Sequence, residues 1–257
     1  MLRRFTFVGA LALCAASLAP AAASADTVKI GSDLSHPMDL PGAVCTNCTT
    51  LQQAQQGGNS PLRLTSPANG AVISWAVRTG DPGALYSLRI LRPQGGNSYL
   101  GAGTSQAPSA VPGGVTDATL NYSTPSLPIK QGDAIGLLTG GAATGLPQRF
   151  TNGVPSNVIA IEFTGGPPDG QTAAFTADVQ HELLLQATIQ FCNVPALKKL
   201  KTKPAKQLLR AHDCLPKVKR SRTRKPKFRG KVLKQKIAPG TTAAPGTVVP
   251  IVIGTKK

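Results

Sequence analysis

The chain has 257 residues, enough for one large domain or two modest ones. Glycine (27) and proline (22) are frequent and aromatic residues make up only 4%, which disfavours long helices and favours short strands joined by turns. A hydrophobic fraction of 41% excludes a mostly disordered chain, and a net charge of +17 points to an anionic partner.

The N-terminus has the pattern of a secretory signal peptide. Arg3 and Arg4 precede a short apolar run, residues 5–18, and Ala23-Ser24-Ala25 forms a small-x-small cleavage site. The apolar run is shorter than the roughly 20 residues that a membrane-spanning helix needs. We therefore expect cleavage after Ala25 and a secreted mature protein, extracellular or associated with the cell wall. Lipidation at Cys14 is the alternative, which the bulky Leu13 disfavours.

Four cysteines follow the signal peptide, and an even number in an exported chain predicts disulfides. Of the three possible pairings, proximity in sequence favours Cys45–Cys48 and Cys192–Cys214. The C-x-x-C spacing also occurs in thiol oxidoreductases and zinc sites. The first needs a flanking strand and helix, which the sequence around Cys45 does not indicate. The second needs two further ligands where only His36 is near, so a structural disulfide is favoured.

Residues 26–191 alternate between apolar and polar positions in short runs separated by glycine and proline, which predicts an antiparallel β-sandwich of jelly-roll type. The expected strands are Val28 to Ser32, Ala71 to Thr79, Leu85 to Arg92, a strand from Tyr99, Thr116 to Tyr122, Ala134 to Leu138, Val158 to Phe163, Thr172 to Thr176 and Glu182 to Phe191. The prolines Pro125 and Pro128 are expected between strands, because proline cannot donate to a ladder.

Recognised catalytic motifs are absent from the sequence: it has no nucleophile elbow, zincin motif, P-loop or dinucleotide fingerprint. The three histidines are far apart in sequence. Trp75 is expected in the core rather than as a sugar-stacking platform, since Ile73 and Val77 share its strand face. Arg78, Arg89 and Arg92 could form a binding face, but solvated positions on the outer face of the sheet are expected. We therefore predict no enzymatic activity, no cofactor and no metal site.

The charge changes abruptly after residue 191, which predicts a domain boundary. Residues 26–191 carry seven basic and ten acidic side chains, a net charge of −3, whereas residues 192–257 carry nineteen basic side chains and one acid, a net charge of +18. The predicted organisation is a signal peptide (1–25), a β-sandwich (26–191) and a small α+β domain (192–257).

The small domain is expected to contain one helix and a small sheet. Pro204 suits the first turn of a helix, and Ala205, Leu208 and Leu209 form an i, i+3, i+4 apolar stripe that ends near His212. Residues 230–237 and 247–253 are expected to form two strands.

Several residues of this segment resemble the PASTA domain family. Its opening half is similar to Val194-Pro195, Leu197, Ala205, Leu208, Leu209 and Ala211, and its closing half to Val232, Gln235, Pro239-Gly240-Thr241, Gly246-Thr247, Val249, Ile251 and Ile253. The sequence departs from the family at Lys199 and Asp213, where glycine is common, and adds the cysteine pair. The resemblance implies an extracytoplasmic domain, one helix on a small sheet, that binds peptidoglycan fragments.

Between the helix and the sheet lies a dense run of basic residues. In an extended hairpin their alternation would place a row of cations along one edge, suited either to solvation or to docking an extended polyanion. The predicted binding residues are Lys217, Lys219, Arg220, Arg222, Arg224, Lys225, Lys227, Arg229 and Lys231.

The expected function is that of an exported, non-catalytic protein whose basic domain binds peptidoglycan or an anionic wall polymer and tethers the sandwich. Nucleic acid is not expected as the natural partner of an exported protein. One alternative makes the sandwich a carbohydrate-binding or hydrolytic module with the basic domain as its targeting tail. A weaker one is a thiol oxidoreductase that uses Cys45 and Cys48.

Overall fold

The computed structural model describes residues 26–38, 47–52, 63–106, 110–141, 148–149, 160–174, 177–179 and 182–256. Of these described residues, 58% are in strands and 7% are helical, so the fold is mainly β. Within the described ranges, no helix combines the length and apolar character required to cross a membrane.

Thirteen strands precede the helix in the described residues: β1 (Asp26–Gly31), β2 (Cys48–Gln52), β3 (Gly70–Thr79), β4 (Ala84–Gly95), β5 (Ser98–Thr104), β6 (Ala118–Ile129), β7 (Ala134–Gly141), β8 (Gln148–Arg149), β9 (Ala160–Thr164), β10 (Thr172–Ala174), β11 (Ala177–Val179), β12 (Glu182–Leu183) and β13 (Leu185–Asn193). One antiparallel sheet has the order β1-β13-β3-β6, and a second, seven-stranded sheet has the order β10-β5-β4-β7-β2-β9-β11. The predicted mainly-β, sandwich-like fold is confirmed.

The sandwich core lies between these two sheets. Val72, Trp75 and Ile189 of the first sheet pack in one buried cluster with Leu88 and Leu137 of the second. A register shift in β3 between residues 72 and 74 changes which residues face the core. Val72 is therefore buried, whereas Ile73, which was predicted on the core face, is half-buried. Trp75 is buried, as predicted, and its ring stacks on Tyr122 with centroids 4.4 Å apart.

Two details of the strands differ from the sequence expectation. β2 was not predicted, yet all five of its residues are buried between β7 and β9. Pro125 and Pro128 lie inside β6 rather than between strands. β6 tolerates them because it is the edge of its sheet, where a missing N–H costs no ladder hydrogen bond.

The C-terminal unit, residues 192–256, has its own core. The helix α1 (Thr202–Ala211) packs over β14 (Leu215–Thr223), β15 (Val232–Gln235) and β17 (Val248–Lys256), which form a sheet of order β14-β17-β15. Ala205 and Leu209 of α1 are fully buried against Val249, Ile251 and Ile253 of β17. The predicted Cys192–Cys214 disulfide is present, with Cα atoms 5.0 Å apart.

The predicted boundary between residues 191 and 192 falls inside β13. Phe191 belongs to the sandwich cluster, whereas Cys192 belongs to the C-terminal cluster and pairs with β16 (Thr242–Ala243). Across the same junction, His212 Nδ1 lies 3.0 Å from the Asp26 carboxylate. The two cores are therefore joined by one continuous strand without a linker.

Candidate functional site

The small sheet of the C-terminal unit has one covered face and one open face. Residues alternate between the two faces along a strand, and α1 covers the face that carries Val249, Ile251 and Ile253. The opposite face, called the outer face here, carries Leu215 and Val248, which lie in register and are 51% and 47% exposed. Such exposure in neighbouring apolar residues distinguishes this face from the buried one.

Lysines flank the apolar residues of the outer face. Lys217 and Lys219 of β14 lie in register with Pro250 and Val252 of β17, and Lys234 of β15 lies in register with Val252 from the other side. All three lysines are exposed, and Pro250 and Val252 are half-buried. The outer face is therefore an apolar stripe with cations on both sides.

The chain connects β14 to β15 through residues 224–231, called the basic crossover here, which cross the end of β17. This segment contains a 3-10 turn at Pro226–Phe228. The Gly230 N–H donates to the Gly254 carbonyl, and the Gly254 N–H donates to the Lys231 carbonyl. A Cβ at Gly254 would meet the Phe228 carbonyl, so the close crossing requires glycine there.

The nine predicted binding residues divide between these two elements. Four lie on β14 and five in the basic crossover; eight are exposed and Lys231 is half-buried. The predicted hairpin with one row of cations is wrong, because β14 pairs in parallel with β17 and not with the segment that follows it. Lys217 and Lys219 occupy the outer face, whereas Arg220 and Arg222 are at positions of the α1 side.

The site has a one-signed charge. No acidic residue follows Asp213 in the sequence. Within the described part of the chain, no ion pair involves any of the nine residues. Lys227 Nζ lies 5.4 Å from the centroid of the Phe228 ring. These cations are therefore available to an external anion rather than engaged in internal salt bridges.

The arginines of the sandwich have structural partners. Arg78 donates two hydrogen bonds to Asp117, at 2.7 and 2.8 Å, and these hold the pKa of Asp117 below its ordinary value. Arg92 binds the buried Asp133 in the same bidentate manner. Arg89 is only 9% exposed, against the expectation of solvation; it donates to the Pro167 carbonyl, and burial lowers the pKa of its guanidinium. These three side chains do not form a common binding face.

A polar cluster that sequence reasoning missed joins the N-terminal segment to β12. Asp33, His36 and Glu182 place one potential metal-ligand atom each within 4.8 Å of one another. Internal contacts already engage the three groups. His36 Nδ1 lies 3.0 Å from Glu182, the Ser32 hydroxyl donates to Glu182, and a hydrogen bond from the Ser35 hydroxyl lowers the pKa of Asp33. The contacts therefore account for the cluster as a tie between distant segments of the sandwich.

The C-x-x-C motif lies partly outside the described residues. Cys48 is disulfide-bonded and fully buried at the start of β2, with its sulfur 3.7 Å from the Thr139 hydroxyl. Its predicted partner, Cys45, lies outside the described residues, as do Cys14 and the whole predicted signal peptide. A buried sulfur in a disulfide presents no thiolate to a substrate.

Among the described residues, two of the grooves lie near the C-terminal unit. One of about 540 Å³ lies at the junction with the sandwich, between Asp26, Phe191, Asn193 and Thr242. The other, of about 370 Å³, runs along α1 beside Lys203, Lys206 and Arg210. The second groove provides a cationic surface on the opposite side of the unit from the outer face. Variants of this surface can therefore serve as controls for variants of the outer face.

No protein-family model matches this chain, and neither the curated proteins nor the solved structures gave a match.

Proposed function

We propose that this is an exported, non-catalytic protein that binds the bacterial cell wall through its C-terminal unit and so tethers the β-sandwich. The observation that carries the proposal is the outer face together with the basic crossover. They present exposed cations that make no ion pair with another described residue, on a unit of net charge +18. A surface of one sign attracts an extended polyanion over several contacts at once. Peptidoglycan, through its stem-peptide carboxylates, or an anionic wall polymer has this chemistry.

We also propose that the C-terminal unit is a PASTA-like domain. Two backbone conformations support this assignment. Lys199 and Asp213 stand where glycine is common in that family, and both have positive φ, 72° and 54°. Positive φ is the conformation for which glycine is the usual choice. The order of helix and strands and the burial of the apolar stripe on α1 also agree with the resemblance.

Sedimentation with purified cell wall tests the tether. A chain that ends at Phe191 would cut β13 two residues before its end, so intact variants are preferable. The test variant carries Lys217→Gln, Lys219→Gln and Lys234→Gln on the outer face. The control removes the same charge from α1 through Lys203→Gln, Lys206→Gln and Arg210→Gln. Both are compared with the full mature protein over a salt series.

We expect the outer-face variant to pellet much less than the control, and binding to weaken as salt rises. On nucleic acids log K falls as log salt rises, and each lost phosphate contact reduces the magnitude of that negative slope by about 0.7–0.9. Three lost contacts should therefore reduce the slope by roughly 2–3 if the wall anion behaves similarly. Equal loss in both variants would show that net charge alone acts, and no loss in either would refute the proposal.

A further inference from the structure

In the described part of the chain, the main-chain groups on the edge of β14 that faces away from β17 make no hydrogen bond. Two contacts fix the orientation of the strand: the Leu215 N–H donates to the Thr247 carbonyl, and the Ser221 carbonyl accepts from the Thr255 hydroxyl of β17. In a parallel ladder, alternate residues direct both N–H and C=O towards the same neighbour. The groups directed away from β17 belong to the alternate residues Val218, Arg220 and Arg222.

This edge is accessible over several residues. β17 is the one strand that pairs with β14 in the described part of the chain. Residues 219–222 are exposed and Val218 is half-buried. Pro216 occupies the preceding outward position, where a missing N–H leaves the pairing with β17 intact. An unpaired strand edge of this kind is a template for a further strand.

The side chains along the edge restrict which strand can pair there. An added strand would lie about 4.8 Å away, with Lys217 and Lys219 on one face of the new pair and Arg220 and Arg222 on the other. Like charges directly opposite each other are destabilising, whereas opposite charges are stabilising. A second copy of β14 would set four cations against four cations. A strand rich in Asp and Glu would match them on both faces.

We propose that the free edge of β14 binds an extended, acidic segment of another protein by strand addition. Main-chain hydrogen bonds to Val218, Arg220 and Arg222 supply the pairing, and the flanking cations select carboxylate side chains. This goes beyond the wall-binding proposal, because the partner is a polypeptide and the contact is with the strand edge rather than with the outer face.

The test uses full-length mature protein and a synthetic peptide of repeating Glu-Glu-Val-Val, which places carboxylates on both faces of the added strand and is long enough to cover β14. Its control is the same sequence N-methylated at every peptide bond, which keeps the charge but cannot donate to a ladder. Amide hydrogen exchange is followed along β14. We expect the unmethylated peptide to slow exchange at Val218, Arg220 and Arg222, and to bind at least about tenfold more tightly than the methylated one, since several hydrogen bonds are lost together.

Two protein variants separate charge from main-chain pairing. Arg220→Gln and Arg220→Pro remove the same charge, but only the proline variant also removes an outward N–H. We expect the proline variant to bind the peptide about fivefold more weakly than the glutamine variant, as for one lost hydrogen bond. Unchanged amide exchange in β17 shows that the proline variant remains folded. If the proline variant does not fold, main-chain pairing is tested by amide exchange of the native protein with the methylated and unmethylated peptides.

Three outcomes would overturn the proposal. Equal binding of the methylated and unmethylated peptides would mean attraction by charge alone. Slow exchange at Arg220 and Arg222 before any peptide is added, together with a dimer in solution, would mean that a second copy occupies the edge. Protection of the same amides by polyphosphate would assign the edge to a polymer rather than to a protein. None of these results depends on whether the protein binds cell wall.

Discussion

Removal of the Cys192–Cys214 disulfide should destabilise the C-terminal unit while leaving the sandwich folded. Both cysteines are fully buried in the small core and are 22 residues apart in sequence. The double substitution Cys192→Ala, Cys214→Ala removes the bond without leaving a free thiol. Chemical reduction is less informative, because Cys48 is also disulfide-bonded.

The expected loss follows from loop closure. A loop of this length restricts the unfolded chain by about 3 kcal/mol at 25 °C in the chain-entropy model. The C-terminal core is small, with ten fully or nearly fully buried members. Units of this size rarely hold more than about 3–5 kcal/mol of stability. The double variant should therefore populate an unfolded C-terminal unit under native conditions.

The assay exploits the position of the aromatic residues. Trp75 is the only tryptophan, and the three tyrosines also precede residue 192, so fluorescence reports on the sandwich alone. Amide exchange in β17 reports on the C-terminal unit. In the double variant we expect the exchange of β17 to speed up by roughly a hundredfold, as about 3 kcal/mol implies, with little change in the Trp75 unfolding midpoint.

Two results would refute this reasoning. Unchanged exchange in β17 would mean that the unfolded loop is already compact, so that closure restricts little. An equal shift of the Trp75 transition would mean that the two cores unfold as one cooperative unit through β13. The single-core control Leu88→Ala should shift the Trp75 transition by about 2–5 kcal/mol, because it empties a buried site in the sandwich.

Three further predictions concern single residues. Lys199→Gly should stabilise the C-terminal unit by about 0.5–1 kcal/mol, because the exposed Lys199 has φ 72°, whereas Lys198→Gly should not; amide exchange in β17 measures both. Burial raises the pKa of Tyr86 to about 12, so stability should fall by roughly 2–3 kcal/mol as pH rises from about 10 to 12, and Tyr86→Phe should abolish that decline in denaturant titrations. Because the pKa of Asp117 is lowered in the folded state, its ion pair with Arg78 stabilises the fold at pH values above the unfolded pKa. Asp117→Asn should therefore reduce the free energy of unfolding by about 1 kcal/mol at neutral pH and leave it unchanged in acid. Equal losses at both pH values would contradict the ion-pair account.

The sequence indicated the strands that alternate in polarity and missed the one that does not. β4 and β13 carry apolar residues on a clear period, so their existence followed from the pattern. β2 reads Cys-Thr-Thr-Leu-Gln and lies in the middle of a sheet, where both faces are covered. β2 is buried because it pairs with β7 and β9, and no local periodicity of its sequence predicts this. The prediction that Pro125 and Pro128 lie between strands was wrong for a different reason. Proline is excluded from central strands but tolerated in an edge strand, and β6 is an edge strand.

The basic residues of the candidate site were identifiable from composition, but their division between faces was not. Which side chains share a face depends on the pairing partner of β14, and that partner is β17, about thirty residues later in the chain. A hairpin was the local alternative and it would have grouped the cations differently. The contact between His36 and Glu182 escaped prediction for the same reason, since 146 residues separate them. Register and long-range contact are properties of the assembled sheet.

The position of the disulfide suits the proposed tether, because it determines how force passes from β14 to the sandwich. Cys192 directly follows Phe191 in β13, and Cys214 directly precedes Leu215, the first residue of β14. A pull on β14 is therefore transmitted through one covalent bond to β13, without loading α1. β13 is in turn held by β1 on one side and β3 on the other, so the load enters an interior strand of the sandwich. A tether that acts under load needs such a route, because α1 packs only through a thin core that would open first.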